Sequence, residues 1–255
     1  MSEVTMPTPH FARRAVLATL LGGLAAASAQ AQEIACLSQA RTMQDAGLVE
    51  IRSRVPDIAL DIRYAGSDNF IGAPVDGYEA PACWLRPEAA DALARVEAEL
   101  RRKHLRLRIF DCYRPVRAVA HFMRWLEEEA DPATKARFHP TLEKPQLRGV
   151  YIAPLSGHSR GATIDLTLMA CDARGEGCAP LDMGTDFDFF GSIAHTDSPE
   201  ASAAQRANRH ALRAAMAAEG FVNLPEEWWH FRLDPEPAPQ ACHDVPVDIA
   251  PPPRD

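Results

Sequence analysis

The chain contains 6 cysteines but no Cys-x-x-Cys pair, which excludes a zinc-finger type of metal site. It is poor in positive charge, with 27 Lys and Arg against 35 Asp and Glu and a net charge of −8. Phosphate binding is driven by Lys and Arg, so a nucleic-acid partner is not expected. No internal repeat occurs. No uncharged apolar run is long enough to span a bilayer, which takes roughly 20 residues. The run from Ala15 to Ala27 is the nearest approach; it follows Arg13 and Arg14 and closes on Ala29-Gln30-Ala31, the small-x-small pattern of a signal-peptidase site. Residues 1–31 therefore read as an export signal rather than an anchor. The arginine pair also leaves the twin-arginine route open beside ordinary secretion.

Removing that segment takes away Glu3, Arg13 and Arg14 and leaves the remainder more acidic still. About 220 residues remain, which suits a single domain, residues 32–255, with a sizeable core and no stable membrane insertion. All the cysteines, Cys36, Cys83, Cys112, Cys171, Cys178 and Cys242, lie in the exported part. An even number in an oxidising compartment, here the periplasm, favours disulfides. Cys171 and Cys178 flank a polar, Gly-containing loop and make the simplest pair; the other four permit three pairings.

Apolar residues at Ala89, Leu93, Val96 and Leu100, behind Pro87, predict an amphipathic helix over 87–102. Alternation predicts a strand over 105–110, and a second helix is expected over 116–129. A third should run from about Ser202 to Glu219 and stop at Gly220. Strand character marks 163–168 and 228–233, and a Pro-rich irregular tail follows from Asp234. The fold class expected is α+β: one domain with a small, mostly antiparallel sheet flanked by helices.

Two strings carry chemistry: Ser156-Gly157-His158-Ser159-Arg160-Gly161-Ala162-Thr163-Ile164-Asp165 and Glu227-Trp228-Trp229-His230. They supply two imidazoles, a ligating carboxylate and a spare carboxylate, the parts of a catalytic zinc site with one open position. Strand alternation sets Thr163, Asp165 and Thr167 on a polar face opposite Ala162, Ile164, Leu166 and Leu168. Glycines on both sides of His158 let its turn fold back toward Asp165. His230 would complete a His, Asp, His set for one Zn2+ per chain, Glu227 would be free as base, and the two tryptophans would wall the site. Taken singly, a loop histidine is more often a plain surface or hydrogen-bonded residue, and a tryptophan pair is as readily a core feature as a site wall; only the combination points to a metallohydrolase.

The strings Ser-Gly-His-Ser-Arg-Gly-x-x-x-Asp and Glu-Trp-Trp-His resemble the zinc D-alanyl-D-alanine dipeptidases of the VanX type, whose wider relatives share a D,D-peptidase and Hedgehog-like fold. Similar stretches occur at 69–72, 110–115 and 181–189, so the resemblance runs from about Ile51 to Leu233. It implies zinc ligands His158, Asp165 and His230, a general base Glu227, and Arg114 steadying the scissile carbonyl. It further implies that Ser156 and Asp188 hold the free amino end of a small dipeptide, with Asp188 as countercharge. The expected activity is hydrolysis of D-Ala-D-Ala, in turnover of wall dipeptides outside the cytoplasm. The chain differs from that family in its export signal and in a tail that carries Cys242 instead of an aromatic-rich ending. Two alternatives share the superfamily: a D,D- or L,D-carboxypeptidase, which would need an open cleft and no countercharge from Asp188, and a non-catalytic wall-binding module, which would lack Glu227.

Overall fold

The structure, a computed structural model, describes residues 36–249; the expected export signal lies outside the described residues. The elements follow in the order β1 (Val49–Glu50), β2 (Ala59–Leu60), β3 (Trp84–Leu85), α1 (Pro87–Arg101), β4 (Leu105–Asp111), α2 (Val116–Trp125), α3 (Pro132–Phe138) and α4 (Lys144–Leu147). After them come β5 (Thr163–Ala170), β6 (Ala179–Pro180), α5 (Ala203–Ala217), β7 (Phe221–Asn223) and β8 (His230–Leu233). The main sheet runs β2-β4-β5-β8-β7, with β6 added beside β5, while β1 and β3 form a separate ribbon. Only the β2–β4 pair is parallel. This is the α+β class expected from the pattern.

The predicted helices form, with their ends shifted. α1 begins on Pro87, whose missing N–H costs nothing in a first turn. Its buried face is Ala89, Leu93, Val96 and Leu100, as the periodicity requires, with Glu97 buried among them. Glu97 is satisfied there: its Oε2 accepts the Leu107 N–H at 2.8 Å. α5 is closed by a capping box in which the Ser202 side chain and Gln205 satisfy each other's backbone N–H groups. α2 ends at Trp125 rather than at 129. Beyond it, Lys144 donates to the Trp125 carbonyl at 2.6 Å, so a buried ammonium satisfies an end-of-helix carbonyl. The strand expected over 228–233 begins only at His230, because Trp228 and Trp229 belong to the preceding turn.

α1 and α5 pack against each other and against the sheet. Neither helix lines the cavity that holds His158, Asp165 and His230, which lies on the other sheet face beneath α2 and the loops at 150–158 and 188–190. That face of β5 carries Thr163, Asp165 and Thr167, as the alternation predicts, and all three are as buried as the apolar face; Phe110 stacks on Phe187, which meets Trp229 edge-on.

The cysteines pair as Cys36–Cys242, Cys83–Cys112 and Cys171–Cys178. The segment after Asp234 lies back on the domain, where Val245 and Val247 are buried and the Tyr113 hydroxyl donates to the Val245 carbonyl. His243 is the tail's polar anchor. Its Nε2 faces Arg86 Nη2 at 2.7 Å and its Nδ1 faces Ser38 Oγ at 2.6 Å. A guanidinium can only donate, so the ring is neutral with its proton on Nδ1.

Burial, and then the Arg86 charge, push His243 down to about 4 from the ordinary 6.5. Between those values the unfolded chain binds the proton and the folded chain does not. Its contribution is therefore complete above about pH 6.5 and is lost as the pH falls toward 4. His243→Gln keeps an acceptor for Arg86 and a donor for Ser38, and should flatten the fall in melting temperature across that window. An unchanged slope in thermal denaturation would remove His243 as its source.

Candidate metal centre and active site

The site is built on three strands at one level. The β5–β8 register sets Asp165 opposite His230, and residues directly opposite share a face with Cβ atoms about 5 Å apart. On the other side β4 slips: Ile109 pairs with Leu166, but the next pair is Asp111 with Asp165. The extra residue, Phe110, is a β-bulge, and it re-aims Asp111 toward the site.

His158 comes from the turn Gly157–Arg160, which Ser156 caps by accepting the His158 N–H at 3.2 Å. Gly161 ends the turn at φ +81°, and a Cβ there would meet Leu48 at 2.5 Å. A side chain at 161 is thus strained by the backbone and would have to displace a Leu48 methyl, and the turn carries His158 into the start of β5. The His158 Nδ1 proton goes to the Cys112 carbonyl at 2.7 Å. That bond fixes the tautomer and leaves Nε2 facing the centre.

His158 Nε2 lies 3.3 Å from His230 Nδ1 and 3.3 Å from Asp165 Oδ2, while His230 Nδ1 lies 3.1 Å from Asp165 Oδ1. One ligand atom from each of the three falls within 4.8 Å of the others. Asp165 Oδ1 is buried with no hydrogen bond aligned to it, a deficit that costs about 1–3 kcal/mol when nothing fills it. Two imidazole nitrogens and an under-satisfied carboxylate facing one point fit a divalent transition ion with an open fourth position.

Glu227 stands beside this triad, its Oε2 3.5 Å from His230 Nδ1. Burial pushes its carboxyl up to about 7, with Asp165 adding to the effect and His230 opposing it. Burial also acts upward on Asp165, but His158 and His230 outweigh it and hold that carboxyl below the usual range. For His230 burial acts downward and Asp165 overrides it, raising the imidazole. Asp188, in a left-handed backbone conformation at φ +62°, is raised well above the carboxylate range by burial and by Asp165. It accepts from the Tyr64 hydroxyl at 2.9 Å.

The Arg114 side chain is only 13% exposed. It donates to Asp111 at 2.9 Å, lies 3.5 Å from Asp165, and rests over the rings of Tyr64 and Phe122. All seven residues singled out in the sequence, Arg114, Ser156, His158, Asp165, Asp188, Glu227 and His230, line one cavity of about 150 Å³. That is below the roughly 300–1,000 Å³ of drug-sized sites and suits a small ligand. Of the paired tryptophans only Trp229 borders it; Trp228 turns away and donates to Thr185 Oγ1 at 2.8 Å.

The supporting groups Tyr64, Tyr78, Asp111 and the Cys112 carbonyl escaped the sequence reading. Asp111 and Cys112 lie inside the stretch 110–115, so the signal was present without its meaning. Tyr78 donates to Asp111 at 2.6 Å from a segment that carries no motif.

A family model described as D-ala-D-ala dipeptidase, peptidase M15, matches residues 44–248. The chain belongs to the M15 peptidase family. It is 42% identical over 195 residues to a D-alanyl-D-alanine dipeptidase of Streptomyces coelicolor, covering 76% of this chain and 94% of that protein. It is 39% identical over 205 residues to the D-alanyl-D-alanine dipeptidase of Enterococcus faecalis, covering 79% and 98%. With that of Escherichia coli it shares 36% identity over 186 residues, 73% of this chain and 84% of the relative. M15 dipeptidases are metallopeptidases, and the triad is where this chain could hold the ion.

His230→Ala removes one donor at the start of β8 and leaves the apolar core residues in place. It should abolish tight uptake of a divalent ion by the purified protein, measured by atomic absorption after dialysis. Retention equal to the wild type would exclude His230 from the metal set.

Proposed function

We propose that the protein is an exported, zinc-dependent dipeptidase that hydrolyses D-Ala-D-Ala to two D-alanines. The observation that carries this reading is the meeting, in one small buried cavity, of a His, Asp, His donor set with a spare carboxylate, an arginine and a second acid. His158, Asp165 and His230 would hold the metal. A zinc ion there would polarise the scissile carbonyl and bring the pKa of a bound water toward about 7.

The chain's own groups supply the remainder. Glu227, buried and raised to about 7, accepts a proton from the attacking water and returns it to the leaving amine. Arg114 donates to the carbonyl oxygen as negative charge develops there, already oriented by Asp111 and by the two rings beneath it. Asp188 and Ser156 receive the substrate's ammonium. Asp188 makes no ion pair among the described residues, and burial and Asp165 drive it toward its neutral form against the pull of Arg114; an ammonium placed beside it would favour the charged form. The free amino terminus is thereby read as a condition for binding. The small cavity and this countercharge favour a dipeptide over a carboxypeptidase substrate, and Glu227 argues against a non-catalytic module.

Export accounts for the leading segment and for the three disulfides, which persist in oxidising compartments. Among the described residues no helix is long and apolar enough to cross a membrane. A periplasmic enzyme does not reach the cytoplasmic precursor pool, so turnover or scavenging of wall-derived dipeptides fits better than antibiotic resistance.

The zinc-loaded protein should release alanine from D-Ala-D-Ala, but not from L-Ala-L-Ala or from a wall pentapeptide ending in D-Ala-D-Ala. Release from the pentapeptide alone would overturn the dipeptidase reading. Glu227→Ala should keep its zinc and lose turnover by roughly 10²–10⁴-fold. Undiminished turnover would remove Glu227 as base.

A further inference from the structure

Arg209 of α5 is fully buried, with no solvent exposure, and its guanidinium is held by carbonyls rather than by a carboxylate. Nε donates to the Met183 carbonyl at 2.7 Å, and Nη1 donates to the carbonyls of Ile193 and His195 at 2.9 and 2.7 Å. Nη2 is buried without a hydrogen bond. A cation placed so deeply is costly, and a forked donor is needed because its acceptors lie on two separate loops. Space has been cleared for it as well: at Gly184, φ +88°, a Cβ would lie 3.0 Å from Nη2.

Those two loops meet again at Trp228. Its indole Nε1 donates to Thr185 Oγ1 at 2.8 Å, two residues beyond Met183. Its backbone N–H reaches the Ala194 carbonyl at 3.2 Å, between the two carbonyls that Arg209 holds. Trp228 follows Glu227 directly in the chain. The turn is closed by the His230 N–H on the Glu227 carbonyl and by Asn223 Nδ2 on the carbonyls of Glu227 and His230.

We propose that Arg209 is a positioning residue for Glu227: it ties together the two loops between which Trp228 is fixed, and so sets where the neighbouring carboxylate points. The inference rests on the reading of Glu227 as base. Arg209 lies outside the cavity lining, so its action on the reaction passes through Trp228.

Arg209→Met fills the same volume without donors. In the zinc-loaded protein it should keep the metal and lower kcat for D-Ala-D-Ala by about tenfold or more, with KM changed far less. In a Glu227→Gln background the same substitution should cost less than about twofold, because its target is already gone. Hydrogen exchange should speed at the Trp228 amide in Arg209→Met while the β4 and β5 amides keep their protection. A kcat within about twofold of wild type, an equal loss in both backgrounds, or unchanged Trp228 exchange would overturn the proposal. Should Arg209→Met fail to fold, Thr185→Val removes only the acceptor of the indole N–H and must reproduce the same kcat loss and the same faster exchange; wild-type values in it would overturn the proposal. A wild type unable to cleave the dipeptide contradicts the dipeptidase reading instead, and the exchange experiment still decides the role of Arg209.

Discussion

The site depends on the register of β5 between its two neighbours. Asp165 faces His230 across one strand pair and Asp111 across the other, so one metal donor and one supporting acid sit at its own level. A slip by a single residue would send Asp165 to the apolar face with Ile164 and Leu166 and dissolve the constellation. The bulge at Phe110 matters for the same reason, since Asp111 orients Arg114 and stands 3.4 Å from His158 Nδ1. Burial of both faces of β5 makes such slips expensive, and the precision of the site follows from packing on the side away from it.

Electrostatics give the site its character. Four buried acids, Asp111, Asp165, Asp188 and Glu227, share the region with Arg114 and two imidazoles. The surroundings separate their roles: contact with both imidazoles keeps Asp165 ionised, while burial raises Glu227 into the range of a proton carrier. Asp188 is raised well above the carboxylate range by burial and by Asp165, with Arg114 opposing, and in the proposed function it is the group that meets the substrate's ammonium. In the proposed function, carboxylates of one chemical kind would thus be sorted into ligand, base and anchor by what lies within a few ångströms of each.

Much of this was legible in the sequence. Periodicity located α1 and α5, and strand alternation placed Asp165 opposite the apolar positions of β5. Glycines flanking His158 marked its turn. The spacing of Glu227 and His230 allowed both to reach one point. What escaped has physical reasons. The aromatic rings near the polar face of β5 come from distant segments, so alternation identifies that face as polar without revealing how deeply it is buried. Trp228 and Trp229 look alike in sequence, yet one borders the cavity and the other is turned away by a hydrogen bond to Thr185. The role of Cys112 lies in its carbonyl, which no side-chain pattern reveals, and Tyr64 reaches Asp188 across 124 positions of sequence.

The central claim is that one metal is held by His158, Asp165 and His230 with Glu227 free beside it. Anomalous X-ray diffraction at the zinc edge, on crystals of the zinc-loaded protein, tests it most directly. The account predicts a single strong peak at roughly 2.0–2.2 Å from His158 Nε2, His230 Nδ1 and an Asp165 oxygen, with the Glu227 carboxylate outside bonding distance. A peak elsewhere, or one ligated by Glu227, would contradict it.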